Sequence, residues 1–545
     1  MRAKLWIAAV LVAATAAAAA DAGLAAPSKT RRPFSEASRA TLGSLQELDG
    51  APLLVQLARG RQAAAAPLAL RRAGARLVSE TLRIWVVPAS NAQRVVAPLI
   101  RGGAVVAVER NRTRRRAATP GFTDPLWPSE WWRAAVGADA APLLPAGVPL
   151  TIVDSGVDLT HPEFQGAHIT LLNQQFLGDA SDDDHGTAVT SVAAAPANGF
   201  GMVGIYPNAN VWEWDGRSYR DSELIAGIDT AVRRGRSVIN MSWDGTRDDP
   251  LLDYELLLAF GTGSVLVAAA GNEFDEGNPI EFPASLNHVL TVASTDQASR
   301  PSYFSNSNDA VDLAAPGEGI TVAVPYSYNP NGFDLYDGTS FSAPMVAAAT
   351  AGVWSARTEL DNTQMFDLMR YSAHDLGRAG FDPDTGYGLL DIQAALSQAA
   401  PGPDPSEPNE DIYMVKAGEL FSDAAVPLTR PGHGRATIPA RLDYTEDPED
   451  VYRVWVPAQR TISVRVVGDA NVDLELWTPG ATSVYERGAA QKRDLIGFSD
   501  KKGTAPDTVA ARNRTRRGRY FYADVFLGQD AGDAAYTLSV RTSSK

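Results

Sequence analysis

The 545-residue sequence predicts an α/β protein whose central domain is a doubly wound parallel sheet. Between residues 148 and 293, short apolar runs alternate with helical stretches, as in parallel sheets that have helices on both faces. Residues 50–110 show a shorter alternation that predicts a small α+β unit before this domain. After residue 413, alternation with a period of two replaces the helical pattern and predicts an all-β sandwich.

The first segment has the composition of an export signal. Arg2 and Lys4 precede an apolar run that ends near Ala20, and small residues suited to cleavage follow. The alternative is a membrane anchor, but the run is short and rich in alanine for a spanning helix. We therefore expect residues 1–26 to be a cleaved signal peptide. The mature protein is then expected to be secreted or periplasmic, with no membrane partner.

The predicted α+β unit occupies residues 27–118. Its expected strands are 51–57, 82–87 and 104–109, and its expected helices are 64–73 and 92–101. It ends in the basic run 112–116, which is either an exposed, cleavable joint or a solvated linker.

The central domain is expected at residues 119–400. Its predicted strands are 148–153, 211–214, 237–241, 265–270 and 289–293, and its predicted helices include 222–233, 251–261 and 345–355. Functional residues in such a sheet are expected at the carboxyl ends of the strands.

A linker rich in proline and acidic residues is predicted at 401–412, and the β sandwich at 413–545. Strands of the sandwich are expected at 451–456, 461–467, 472–477, 519–526 and 535–541.

Charge and composition exclude several classes of protein. The net charge is −15, but residues 1–118 hold 19 Lys and Arg against 6 Asp and Glu, and the remainder holds 30 against 58. An acidic body of this kind disfavours nucleic acid as a partner, because phosphate contacts need Lys and Arg. The absence of cysteine excludes a disulfide scaffold, a thiol nucleophile and a zinc site built on cysteine.

Four polar residues stand at predicted strand ends or helix starts: Asp154, His185, Asn272 and Ser340. Asp154, Asn272 and Ser340 alone are each more simply explained as a turn or a cap. His185 alone fits a surface residue and a functional one about equally well. Together they supply a hydroxyl nucleophile, a base, a carboxylate that orients the base and a donor for an oxyanion. The sequence therefore predicts acyl-transfer chemistry at this edge of the sheet.

The motifs that hold these residues resemble those of the subtilisin-like serine peptidases. They are Asp154-Ser-Gly, His185-Gly-Thr, Ala-Ala-Gly-Asn272 and Gly-Thr-Ser340-Phe-Ser-Ala-Pro, in the chain order Asp, His, Ser of that family. The resemblance covers about 120–400 and implies a subtilisin-like fold and a secreted serine endopeptidase that acts on proteins or peptides. It also implies substrate binding by Ser242, Trp243, Asp244, Ala270 and Gly271.

The flanking segments carry weaker resemblances. Residues 27–118 resemble the inhibitory pro-segment of the family, and their 17 basic and 5 acidic residues oppose the charge of the acidic domain. The resemblance implies a self-processing precursor whose pro-segment is an intramolecular inhibitor. Residues 413–545 resemble the pre-peptidase C-terminal domain of secreted bacterial peptidases.

Two positions depart from the family pattern. Asp184 and Asp244 stand where the family usually has glycine. We expect Asp184 to shift the pH profile through its charge beside His185. Asp244 and Glu273 either favour substrates with basic side chains or are simply two exposed carboxylates at the rim of the substrate pocket.

No cofactor is expected for catalysis, whereas structural calcium is a feature of many family members. Asp182, Asp183 and the Asp-rich tail offer carboxylate ligands for calcium, although no fixed spacing selects among them. The alternative function is a catalytically inactive, peptidase-like protein that binds through its C-terminal β domain. An α/β-hydrolase esterase is disfavoured, because Ser340 lacks a Gly-x-Ser-x-Gly turn.

Overall fold

The computed structural model describes residues 52–111, 121–175, 184–418, 426–529 and 531–543, which fall into two compact units divided at residue 118. The predicted signal peptide 1–26 and the basic run 112–116 lie outside the described residues.

The first unit is a four-stranded antiparallel sheet with two helices. In chain order its elements are β1 (Leu53–Leu57), α1 (Ala66–Arg72), β2 (Arg76–Ser79), β3 (Ile84–Val87), α2 (Ala92–Arg101) and β4 (Val105–Arg110). The strand order is β2-β3-β1-β4. Leu53, Val55 and Leu57 alternate on the buried face of β1 and pack against both helices. The sequence did not predict β2, a short edge strand whose residues are at most half-buried.

A seven-stranded parallel sheet forms the centre of the second unit, in the order β11-β10-β9-β8-β5-β7-β6. Its strands are β5 (Leu150–Asp154), β6 (His168–Leu171), β7 (Asn210–Asp215), β8 (Val238–Met241), β9 (Val265–Ala269), β10 (Val289–Thr295) and β11 (Leu313–Pro316). The chain leaves β5 on one side for β6 and β7 and then continues on the other side with β8. This reversal opens a crevice at the carboxyl ends of the strands, where ligands bind in sheets of this type.

Helices cover both faces of this sheet. They are α3 (Trp131–Ala135), α4 (His185–Ala194), α5 (Asp221–Arg234), α6 (Pro250–Gly261), α7 (Thr339–Ala356), α8 (Asn362–Tyr371) and α9 (Ile392–Ser397). Ile152 of β5 packs in the core that contains α4 and α7, whereas the next residue, Val153, packs in the core that contains α5 and α6. This confirms the predicted doubly wound α/β fold. A hairpin of β12 (Ile320–Ala323) and β13 (Phe333–Tyr336) completes the domain.

Helix α7 begins at Thr339, so the predicted start at Met345 was wrong. Pro344 lies inside this helix and cannot donate to the carbonyl four residues earlier. In the structure that carbonyl, of Ser340, accepts the Ser242 hydroxyl at 2.9 Å instead. The helix therefore tolerates the proline.

The C-terminal region is a sandwich of two four-stranded antiparallel sheets, with strand orders β14-β21-β16-β19 and β15-β20-β17-β18. Its elements are α10 (Ile412–Val415), β14 (Arg435–Leu442), β15 (Glu449–Val456), β16 (Thr461–Gly468), β17 (Val472–Trp477), α11 (Ala489–Asp494), β18 (Leu495–Ser499), β19 (Asp507–Arg512), β20 (Arg519–Leu527) and β21 (Ala534–Thr542). Both sheets contribute to one apolar core. The five predicted strands are present, and β14, β18 and β19 were missed.

Buried polar contacts join the sandwich to the α/β domain. Arg370 of α8, which is 1% exposed, pairs with Asp312 and with Asp443 from the sandwich, each at 3.0 Å. His288 stacks on Phe260 at 4.3 Å between ring centroids and donates its backbone N–H to Glu446 of the sandwich. Because removal of one partner leaves an uncompensated buried charge, breaking such a pair costs about 3–5 kcal/mol.

Within the described residues, no helix has both the length and the apolar character that are needed to cross a bilayer.

Candidate active site

Asp154 and His185 meet at the carboxyl edge of the central sheet. Asp154 is the last residue of β5 and is fully buried, and His185 is the first residue of α4. His185 Nδ1 lies 2.8 Å from Asp154 Oδ1, and the Ser155 backbone N–H donates to the same oxygen at 2.7 Å. The carboxylate therefore holds one ring nitrogen of the imidazole and leaves Nε2 as the nitrogen able to exchange a proton with a reactant.

The distance between Asp154 and His185 depends on a close backbone contact between the start of α4 and the loop after β5. A Cβ atom on Gly186 would lie 2.3 Å from the Gly156 carbonyl oxygen, so only glycine allows the start of α4 to approach the loop after β5 this closely. The glycine after His185 is thus a requirement of the Asp154–His185 pair.

Tyr219 is a member of this site that sequence reasoning missed. Its hydroxyl donates to Asp154 Oδ1 at 2.8 Å and lies 3.4 Å from His185 Nδ1. It comes from the loop that follows β7, the neighbour of β5 in the sheet. In the sequence, the position of Tyr219 soon after a predicted strand could have indicated a functional role, but no recognisable motif surrounds it.

Glu213 lies below this pair in β7 and is completely buried. Burial, with a smaller contribution from the charge of Asp154, raises its pKa well above the usual value. Burial therefore favours the neutral form of this carboxyl beside Asp154.

Ser340 is the second residue of α7. Its hydroxyl donates to the Ser242 carbonyl at 3.3 Å, so the serine is held against the end of β8. The next residue, Phe341, has its ring centroid 5.9 Å from that of His185. The backbone N–H of Ser340 belongs to the first helical turn, whose donors have no acceptor within the helix.

Asn272 follows β9, which is adjacent to β8 in the sheet. Its side-chain oxygen accepts the Thr339 backbone N–H at 2.8 Å and the Thr339 hydroxyl at 2.9 Å. Since the oxygen is engaged in this way, the amide NH₂ is the part of Asn272 that can serve a ligand. Gly271 before it has φ +101°, and a Cβ there would lie 2.5 Å from Asn306 Nδ2.

The expected substrate-binding residues lie at the ends of the same two strands. Ser242, Ala270 and Gly271 are buried, and Asp244 is exposed at the rim. The Trp243 indole donates to the Val153 carbonyl at 2.9 Å and packs against the core around α5 and α6. Its side chain therefore anchors the segment internally.

Three further aspartates were singled out in the sequence, namely Asp184, Asp182 and Asp183. Asp184 accepts a hydrogen bond from the Tyr336 hydroxyl of β13, and its effect on the pH profile stays a prediction. Asp182 and Asp183 lie outside the described residues.

A buried aspartate, a histidine and a serine at the start of a helix lie on a doubly wound sheet together with an asparagine amide, and such an arrangement can support acyl-transfer chemistry. Residues 146–388 match the model of the Subtilase family. Subtilisin of Bacillus pumilus is 31% identical over 260 residues, which are 46% of this chain and 91% of that protein. The chain therefore belongs to the subtilase family, which confirms the resemblance inferred from its motifs.

Other matches cover less of the relative or are more distant. Minor extracellular protease Epr of Bacillus subtilis (strain 168) is 29% identical over 283 residues, 51% of this chain and 42% of that protein, so this chain spans less than half of Epr. A solved structure, the psychrophilic subtilisin-like protease Apa1 from Pseudoalteromonas sp. AS-11, is 20% identical with a TM-score of 0.44. It covers 50% of this chain and 99% of that one.

Proposed function

We propose that this protein is a secreted serine endopeptidase that hydrolyses peptide bonds through an acyl-enzyme. The observation that carries the proposal is the 2.8 Å contact of buried Asp154 with His185, beside Ser340 and Asn272 at one sheet edge. Family membership and the name of Epr as an extracellular protease support the activity and the secretion.

Acylation follows from the roles that these atoms can take. His185 Nε2 accepts the Ser340 proton while Ser340 Oγ forms a bond to the carbonyl carbon of the substrate. Asp154 keeps the proton of His185 on Nδ1 and balances the positive charge that develops on the ring. Asn272 Nδ2 and the Ser340 backbone N–H donate to the oxyanion. The C–N bond then breaks as His185 gives its proton to the leaving amine.

Deacylation repeats these steps with water. His185 takes a proton from the water, and the hydroxide oxygen attacks the acyl carbon. The bond to Ser340 Oγ then breaks, and His185 returns the proton to the serine. Both half-reactions use the same groups: Ser340 with its backbone N–H, His185, Asp154 and Asn272.

We propose that the protein is made as a precursor. Residues 1–26 direct export and 27–118 act as an intramolecular inhibitor until they are cleaved off. The basic character of 27–118 opposite an acidic remainder supports attraction between the two parts of the chain.

The test of the proposed function is covalent labelling of the purified protein by a fluorophosphonate, together with hydrolysis of casein. We expect one label per molecule, located by peptide mapping on Ser340, and loss of casein hydrolysis as labelling proceeds. A protein that folds but takes no label and cleaves no casein would contradict the proposal and favour a binding role.

Replacement of Tyr219 by phenylalanine is expected to lower kcat by about 10-fold with little change in KM. The variant loses one hydrogen bond to an ionised carboxylate, which is worth roughly 1.5–3 kcal/mol. Steady-state kinetics on a peptide substrate measure the effect, with the exposed Tyr303→Phe as the matched control. An unchanged kcat would show that Tyr219 does not help to position Asp154.

We also propose a structural calcium ion where the segment 401–412 meets the sandwich, held by a carboxylate cluster of Asp404, Glu407, Asp447 and Asp450. One carboxylate oxygen from each of the four lies within 4.8 Å of the others. Asp447 is only 6% exposed, yet neither of its carboxylate oxygens has a hydrogen-bond partner among the described residues. Burial and the neighbouring carboxylates raise the pKa of Asp447 well above its usual value. Hard oxygen donors of this kind suit Ca²⁺.

Calcium is therefore expected to raise the melting temperature by about 5–10 °C relative to EGTA, because a ligand that binds only the folded state stabilises it. Differential scanning calorimetry of the full chain measures the shift. Asp447→Asn is expected to reduce it, whereas the exposed Asp500→Asn is the control. Equal melting temperatures for the wild type in both buffers would exclude the site.

A further inference from the structure

Three carboxylates that play no part in the proposed chemistry lie beside the candidate active site. Asp244 follows β8, Glu273 follows Asn272, and Glu281 precedes a segment that joins the β8 loop. This junction is a backbone pair between Gly245 and Phe282, with hydrogen bonds of 3.0 and 2.9 Å. We call Asp244, Glu273 and Glu281 the acidic pocket.

Glu281 is the buried member of the acidic pocket. It is 3% exposed, and its Oε2 has no hydrogen-bond partner among the described residues. A Cβ on Gly271 would lie 3.0 Å from Glu281 Cγ and 2.9 Å from Glu273 Oε2, so both side chains reach the backbone that precedes Asn272. Burying an unpaired carboxylate costs folding free energy, and a bound cation would offset that cost.

The electrostatic surroundings of Glu281 consist of like charges. Burial, followed by the charges of Asp244 and Glu273, raises its pKa to about 7. Partial desolvation at the rim, together with the charge of Glu273, raises the pKa of Asp244 to about 6, and His185 opposes that rise. Asp244 is exposed and therefore screened by water, so the buried Glu281 is the strongest attractor for a cation in this group.

The acidic pocket has a definite position relative to the substrate. In the proposed mechanism, the carbonyl under attack would lie between Ser340 Oγ and the Asn272 amide, and the side chain of that substrate residue would start from the same point. Asp244 and Gly271 stand just after the ends of β8 and β9, which are neighbours in the sheet. Glu281 Cγ lies 3.0 Å from the position of a Cβ on Gly271, so a long side chain that entered between these strand ends would come close to Glu281.

We propose that Glu281, assisted by Asp244 and Glu273, recognises the lysine or arginine side chain of the substrate residue whose carbonyl Ser340 attacks. This assignment rests on the proposed peptidase function and adds its substrate class: proteins cut after basic residues. An apolar side chain would desolvate three carboxylates further and give none of them a partner. The chain itself carries such residues in its basic run, at Arg112, Arg114, Arg115 and Arg116.

The test uses peptides that differ only in the residue before the cleaved bond, with lysine, arginine, leucine or phenylalanine. We expect kcat/KM for the basic peptides to exceed that for the apolar ones by about 30-fold, the size of effect typical of one buried charge pair. In Glu281→Gln, the basic peptides should lose about 30-fold while the apolar peptides gain. Glu276→Gln removes an exposed carboxylate on the same loop and should keep the wild-type ratio.

The pH dependence of the wild type gives a second measurement that needs no variant. A carboxylate attracts a cation only above its pKa, so the ratio of lysine to phenylalanine hydrolysis should rise between pH 5 and 8, through the pKa of about 6 for Asp244 and about 7 for Glu281.

The outcomes separate the two proposals. No hydrolysis of any peptide would overturn the peptidase function itself. Equal hydrolysis of all peptides, or a ratio that is constant with pH, would leave the peptidase function intact and overturn the assignment of Glu281.

Discussion

Replacement of Ser340 by alanine is expected to lower kcat by about 10⁶-fold, because the variant lacks the hydroxyl that would form the acyl-enzyme. This magnitude is the one that the removal of the nucleophile has in subtilisin. The measurement is peptide hydrolysis by the purified variant, with the exposed Ser397→Ala as the control.

The same variant tests self-processing. The intact mass of the secreted wild-type protein should lack everything up to about residue 117–121, whereas Ser340→Ala should lose only the signal peptide. If both proteins are trimmed alike, another protease removes the pro-segment. If both keep it, the proposed maturation is wrong.

Replacement of Asp154 by asparagine is expected to lower kcat by about 10⁴-fold with almost no change in fold. Asparagine keeps the shape of the side chain, but Asp154 Oδ1 receives the Ser155 N–H and the Tyr219 hydroxyl as well as His185. An amide cannot balance the imidazolium charge, and it can hold His185 in the wrong tautomer.

Kinetics at several pH values and a melting curve measure this effect. Asp158→Asn is a matched control, because Asp158 belongs to the same motif and accepts hydrogen bonds from Thr160 instead. A variant that retained more than about a tenth of the wild-type kcat would show that Asp154 does not support the base.

The buried strands of the α/β domain were predictable from sequence because they are apolar on both faces. β5 and β9 are buried at every position; β9 is a continuous apolar run, and in β5 only Thr151 interrupts the apolar residues before Asp154. β6 was not predicted, because it is a short edge strand with mostly exposed residues, His168–Leu171. β14 was obscured by Pro439, which a sheet accepts on an edge strand.

The candidate site was predictable only where residues stand in motifs. Asp154, His185, Asn272 and Ser340 each lie within two residues of a glycine, and this local feature is visible in the sequence. Tyr219 touches Asp154 across 65 positions of the chain, and Glu281 reaches Gly271 from a separate loop. Contacts of this kind depend on how the loops fold, and no spacing rule encodes them.

The buried contacts of Arg370 have a consequence for how this protein can change in evolution. Burial raises the pKa of Asp312 to about 7 even with the Arg370 guanidinium beside it. This cluster of buried charges is therefore destabilised when one of its partners is removed. Recombination within the predicted linker 401–412 would separate Arg370 from Asp443 and expose the stacked rings of His288 and Phe260. A sandwich exchanged from another chain would have to bring its own acidic partner. The two domains are therefore constrained to be inherited as a pair.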